Sequence, residues 1–253
     1  MLLLLVFPAV TVLNWDAISS GDTALKDGKA QWNVLLVVNC GGWGNVPLEE
    51  SPDIFPIVKG VAGYLDSCGL RPGVAVYQRA VPEDLSAHCP VIKGQISVLG
   101  EMLGFHRQRV NRFVQEIESV ARRYPEQKFI LIGLSNGATF ANQTVEAFSP
   151  AVVSQVFSIE IGIPFWRRVV MTENNLILTN GGADPLWRGA VEELFTSLLK
   201  GLKDFFWRQI GGAGGSFEEV WHIHGHDYRW EKVAPAVRVF IDRRIVGSAS
   251  ESP

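Results

Sequence analysis

The sequence predicts an α/β fold: a mostly parallel central sheet with helices on both faces. Two observations carry that reading. Short continuous apolar runs, such as Val34–Val38 (VLLVV) and Phe129–Leu134 (FILIGL), have the composition of strands buried on both sides. Segments with a 3.6-residue apolar period separate them, as crossover helices would. The composition agrees. Of 253 residues, 47% are hydrophobic and 19% charged, which suffices for a large core and argues against disorder. A net charge of −3 provides no electrostatic footprint for nucleic acid. No apolar run is long enough for an ordinary membrane-spanning helix.

Taken in order, the chain opens on an apolar stretch, Met1 to Leu13, followed by Asn14-Trp15. Its length suits a signal-peptide core, yet no Lys or Arg precedes it and no small-x-small cleavage site follows. Three readings stay open: an export signal, a shallow anchor making peripheral membrane contact through residues 1–15, or an element packed on the core. Export or membrane association is favoured over cytoplasmic residence. Residues 1–30 are therefore set apart, with Ser19 to Ala30 as a polar linker. Residues 31–245 form the body, and residues 246–253 a fraying tail. The three cysteines are Cys40, Cys68 and Cys89. They are too scattered for a disulfide framework or a zinc site. Cys68 and Cys89 could pair on export, but three reduced thiols is the favoured expectation.

Within the body, strands are expected at 34–38, 74–77, 129–134, 157–163, 176–179 and 219–224. Helices are expected at 52–68, ending at the C′ glycine Gly69, then at 107–123, 138–148, 187–207 and 231–243. Residues 107–123 place Val110, Phe113, Val114, Ile117, Val120 and Ala121 on one face. The wide apolar stripe of 187–207 predicts a core-packed helix.

In an open α/β sheet, ligands bind beyond the carboxyl ends of the strands. The third body strand runs into Gly133-Leu134-Ser135-Asn136-Gly137 and then a helix, the G-x-S-x-G pattern of a strand-to-helix serine turn. Small residues two positions either side of the serine let the turn close against strand and helix. The helix N-terminus places partial positive charge beside the hydroxyl. A serine alcohol needs a base, and the base an orienting carboxylate. Asp184 follows the strand at 176–179 in a Gly-rich loop and is the expected acid, though Asp also caps helices well. The segment Trp221 to Tyr228 holds His222, His224 and His226. His226, past a glycine at the strand end, is the expected base, with His224 the alternative. A metal site is disfavoured, since three histidines on one short segment rarely converge on an ion. An oxyanion hole would draw one backbone N–H from Asn136 and another from Gly42 or Trp43, in the loop after the first body strand.

These motifs resemble the α/β-hydrolase superfamily, in its serine esterase and lipase-like branches without a large cap domain. The resemblance covers about residues 32–245. It rests on the elbow GLSNGA, the terminal GHDY, and the order Ser135, Asp184, His226. The oxyanion segment Asn-Cys-Gly-Gly-Trp-Gly lacks the His that usually opens His-Gly motifs. The resemblance implies hydrolysis of a carboxylic ester through an acyl-enzyme, a small-molecule or lipid-like ester substrate, and no cofactor. Two rivals stand beside it: an acyltransferase on the same fold, and an inactive hydrolase-fold binding protein.

Eight tryptophans are many for this length. Trp43, Trp166, Trp187 and Trp230 fall near the ends of the strands that carry the motifs, so they are expected to line an apolar acyl pocket. Trp32, Trp207 and Trp221 are expected to pack in the core.

Overall fold

The computed structural model describes residues 12–13, 15–20, 32–39, 48–77, 107–212 and 223–247. They form an α/β-hydrolase-type sheet of six parallel strands. In chain order these are β1 (Val12–Leu13), β2 (Val34–Asn39), β3 (Pro72–Val76), β4 (Lys128–Leu134), β5 (Val156–Ile161) and β6 (Asn175–Leu178). Their spatial order is β1-β3-β2-β4-β5-β6. The chain steps one way from β2 to β3 and the other way from β2 to β4. The sheet's switch point therefore lies at the carboxyl ends of β2 and β4, where Asn39 pairs with Gly133.

Helices cover both faces, which explains the unbroken apolar runs. Every residue of β2 and β5 is buried. One face packs α2 (Phe55–Ser67) and α7 (Trp230–Ile241) against Leu36, Ile130, Ile132 and Ile159. The other packs α1 (Trp15–Ser20), α3 (Arg107–Arg123) and α4 (Asn136–Ala147) against Leu35, Val37, Phe129 and Leu131. The α3 residues expected to face inward are all buried. Gly69, at φ 80°, closes α2 as anticipated.

Several elements differ from expectation or extend it. Val12–Leu13 and Trp15–Ser20 pack with the body. β1 adds parallel to β3 at Val74 and Ala75, Trp15 and Ile18 are buried, and Trp15 Nε1 donates to Glu116 Oε2 at 2.9 Å. Residues 1–11 and 14 lie outside the described residues. The helix expected over 187–207 is two helices, α5 (Pro185–Arg188) and α6 (Val191–Ile210), divided by Gly189 at φ 72°. The second is not core-packed: Gly201 is its one buried residue, and Phe195, Phe206, Trp207 and Ile210 are exposed. Periodicity establishes that a helix has an apolar face, not that another element covers it. Ile223 and His224 lie outside any strand, and the rest of the strand expected at 219–224 lies outside the described residues. The final helix, expected to end at Arg243, runs on through a π-helical turn, Asp242–Val246, and residues 248–253 of the expected tail lie outside the described residues. Cys68 carries a free thiol; Cys40 and Cys89 are outside the described residues.

Candidate active site

β4 delivers Ser135 to the switch point and α4 begins at the next residue. Ser135 has φ 54° and ψ −113°, a conformation rare for any residue but glycine. Packing enforces it. A Cβ on Gly133 would come within 2.3 Å of the Gly137 carbonyl, so strand and helix approach more closely than any other residue there would allow. Two backbone bonds hold the turn: Ser135 N–H donates to Ile161 O at 2.8 Å, and Thr139 N–H to Ser135 O at 3.0 Å. Asn136 is the first helical residue, so its N–H has no partner within the helix.

Asp184 follows β6. It is fully buried, and its carboxylate accepts three hydrogen bonds. Leu186 N–H donates to Oδ1 at 2.8 Å, capping α5. His226 Nδ1 lies 2.9 Å from Oδ2, and the Tyr228 hydroxyl donates to the same oxygen at 2.7 Å. Asp184 thus caps α5 through one oxygen and contacts His226 through the other. Burial pushes this carboxyl up, but the bonds and charge of His226, the Tyr228 hydroxyl and the Leu186 N–H outweigh it, so it stays below its ordinary range. Burial and the adjacent carboxylate push the Tyr228 phenol far up, so it remains a donor.

The glycines explain how the acid and histidine loops reach each other. Gly225, at φ 88°, passes so close to the Ala183 carbonyl that a Cβ would lie 2.7 Å from its oxygen. Asn180 Nδ2 donates to Gly225 O at 2.9 Å and ties the same two loops. His224 is exposed, whereas the His226 side chain is 15% exposed and bonded to Asp184. Of the two candidate bases, the contact to the acid belongs to His226.

Ser135 and the Asp184–His226 pair meet through Ile161-Gly162. Ile161 O holds the Ser135 N–H. At Gly162, φ 62°, a Cβ would lie 2.5 Å from His226 Cε1 and 2.9 Å from Asp184 Oδ2. No hydrogen bond joins Ser135 Oγ to His226 among the described residues. Gly162 and Asn180 carry no local sequence signal for these contacts, and for Tyr228 the one signal is its place in GHDY, two residues past the histidine.

A buried strut lies beside this centre. Glu160 of β5 accepts from Ser158 Oγ at 2.6 Å, Asn142 Nδ2 of α4 at 2.7 Å and Asn175 Nδ2 of β6 at 2.9 Å. It links the serine-bearing helix to the neighbouring strands.

The tryptophans divide. Trp187 on α5 is half-buried, three residues past Asp184, and Trp166 is exposed beside Phe165, whose ring sits against Gly189. The Trp230 ring lies over Gly60 of α2, where a Cβ would come within 2.1 Å, so the space beside that glycine is filled by core packing. Trp32 is buried as expected, Trp207 is exposed, and Trp221, Trp43 and Gly42 fall outside the described residues.

No family model matches the sequence, and neither does any curated protein. Among solved structures, a Trichoderma reesei cutinase in complex with a C11Y4 phosphonate inhibitor is similar. The match spans 90% of this chain and 87% of the cutinase, with a TM-score of 0.50 and 16% identity. At that identity, the likeness establishes the α/β-hydrolase fold.

Proposed function

We propose that the protein is a serine hydrolase that cleaves carboxylic esters through a covalent acyl-enzyme. One observation carries this reading: a serine in a strained strand-to-helix turn shares the switch-point edge of the sheet with a buried, hydrogen-bonded Asp184–His226 pair, and Gly162 spaces them. Such an arrangement has a specific chemical use. Asp184 holds the His226 Nδ1–H, leaving Nε2 to take the Ser135 proton as the hydroxyl attacks a carbonyl. The Asn136 N–H, at the positive end of α4, faces the charge that develops on the oxygen. Protonated His226 then gives its proton to the leaving alcohol, and water enters by the reverse route to release the acid.

The cutinase likeness supports an ester substrate at the level of the fold. Trp187 and the Phe165–Trp166 pair, the latter tied to α5 by Phe165 N–H donating to Leu186 O at 2.7 Å, support an apolar acyl group. The test is labelling by a fluorophosphonate probe, which phosphonylates an activated serine. The wild-type chain should label and Ser135→Ala should not; equal labelling of both, or none of the wild type, overturns the reading. A series of nitrophenyl esters of increasing acyl length then defines the pocket.

A further inference from the structure

Asp184 Oδ2 serves two donors at once, and the shorter contact is not the one to histidine. Tyr228 reaches it at 2.7 Å, His226 Nδ1 at 2.9 Å. We propose that Tyr228 is a positioning residue that sets how strongly Asp184 accepts from His226, by competing with the imidazole for the same carboxylate oxygen. The inference rests on the triad reading above.

The geometry makes this competition permanent. Tyr228 is buried and its hydroxyl also lies 3.2 Å from Leu178 O, at the end of β6. A phenol has one proton. The charged acceptor at the shorter distance takes the larger share of it, because a hydrogen bond to a carboxylate is roughly twice as strong as one to a neutral carbonyl. Leu178 O is already served by the Gly162 N–H at 2.9 Å, so it makes a weak rival claim. The ring stands edge-on to His226, with centroids 5.6 Å apart and planes at 89°. Tyr228 thus also walls the imidazole on one side.

The charged groups on the adjoining elements do not duplicate this role. Asp227 is exposed and paired with Arg229 and Lys232. Arg188 of α5 is paired with Glu193 of α6, and His224 is exposed. The charge at Oδ2 is therefore divided between two donors, His226 and Tyr228. Electron density drawn toward the phenol is withdrawn from the Nδ1–H bond, which weakens Asp184 as a partner for an imidazolium.

The test reads that bond directly. In full-length protein carrying ¹⁵N-histidine, the downfield proton resonance of His226 Nδ1–H is compared between wild type, Tyr228→Phe, and protein with 3-fluorotyrosine at position 228. Loss of the hydroxyl should strengthen the His226–Asp184 bond and move the resonance downfield. The fluorinated phenol, a stronger donor, should move it upfield. Opposite displacements are a signature that a merely structural tyrosine would not produce. A resonance unmoved by both changes, or moved the same way by both, overturns the proposal. If Tyr228→Phe does not fold, the fluorinated protein, which keeps the hydroxyl and nearly the same shape, decides alone. The readout needs no turnover. Opposite shifts in a protein inert to fluorophosphonate would sink the hydrolase reading and leave the competition at Oδ2 intact. A labelled protein with an unmoved resonance would do the reverse.

Discussion

Replacing Glu160 with Gln should reshape the pH dependence of stability. Glu160 has no exposed surface, and burial, opposed by the three donors, pushes its carboxyl from 4.5 up to about 7. Between those values the folded state binds a proton that the unfolded chain has lost. Wild-type stability from this group is therefore greatest below pH 4.5 and falls as pH rises through about 7. At about 1.4 kcal/mol per pKa unit, the whole displacement corresponds to roughly 3 kcal/mol, most of which is lost between pH 5 and 8. Gln does not titrate, so subtracting the two unfolding curves isolates Glu160 from every other group. The variant has a constant cost of its own. Asn142 makes a two-way pair with the Val170 backbone, N–H to Oδ1 at 2.9 Å and Nδ2 to O at 2.8 Å. Its amide therefore cannot turn to suit a Gln nitrogen without losing both bonds. That cost is independent of pH and only offsets the difference curve. Urea unfolding at pH 5, 6, 7 and 8 is the assay. The stability difference should move by roughly 2–3 kcal/mol in favour of Glu160→Gln as pH rises. A flat difference would mean that the carboxyl titrates alike in both states. Movement in the opposite direction would mean that the three donors outweigh burial. Either refutes the reasoning.

Three further outcomes follow from the site. Gly162→Ala would drive a methyl group into His226 and Asp184 at a backbone angle that L-residues avoid; fluorophosphonate labelling should fall by roughly 100-fold or more, the scale of a ~1 Å misplacement of reacting groups. Ser135→Gly removes the side chain from a positive-φ position, so it should abolish labelling while raising the melting temperature, the strain relieved being about 1–3 kcal/mol. Asp184 is displaced in the direction opposite to Glu160: its carboxyl is held down, so its contribution is present above its ordinary range and is lost as pH falls. The stability gap between wild type and Asp184→Asn should narrow on acidification, by urea unfolding, and a gap that widens would contradict the lowered value.

How much was legible depended on the range of each signal. Parallel strands buried on both faces must be apolar throughout, and amphipathic helices must repeat their apolar residues every three to four positions. Hence β2, β4, β5 and α3 could be read almost to the residue. The serine turn was readable too, since its glycines are required by contacts only a few positions apart. Tyr228, Asn180 and Gly162 were not, because each matters for a partner more than forty residues away in sequence or for a neighbouring strand. The break at Gly189 was missed because the apolar stripe continues across it, and a stripe contains no information about φ. The packing of Trp230 over Gly60 was not legible for a similar reason: a groove on α2 is a tertiary feature.

The sequence by itself determined the layered α/β architecture and the strand-to-helix serine turn at the sheet's carboxyl edge, because short-range sterics and burial periodicity are written locally. Only the tertiary structure decided that His226 and not His224 meets Asp184, that Asp184 divides one oxygen between an imidazole and a phenol, and that α6 leaves its apolar face exposed. Those outcomes depend on which loops converge once the sheet has formed, and convergence is set by packing between distant segments rather than by any one of them.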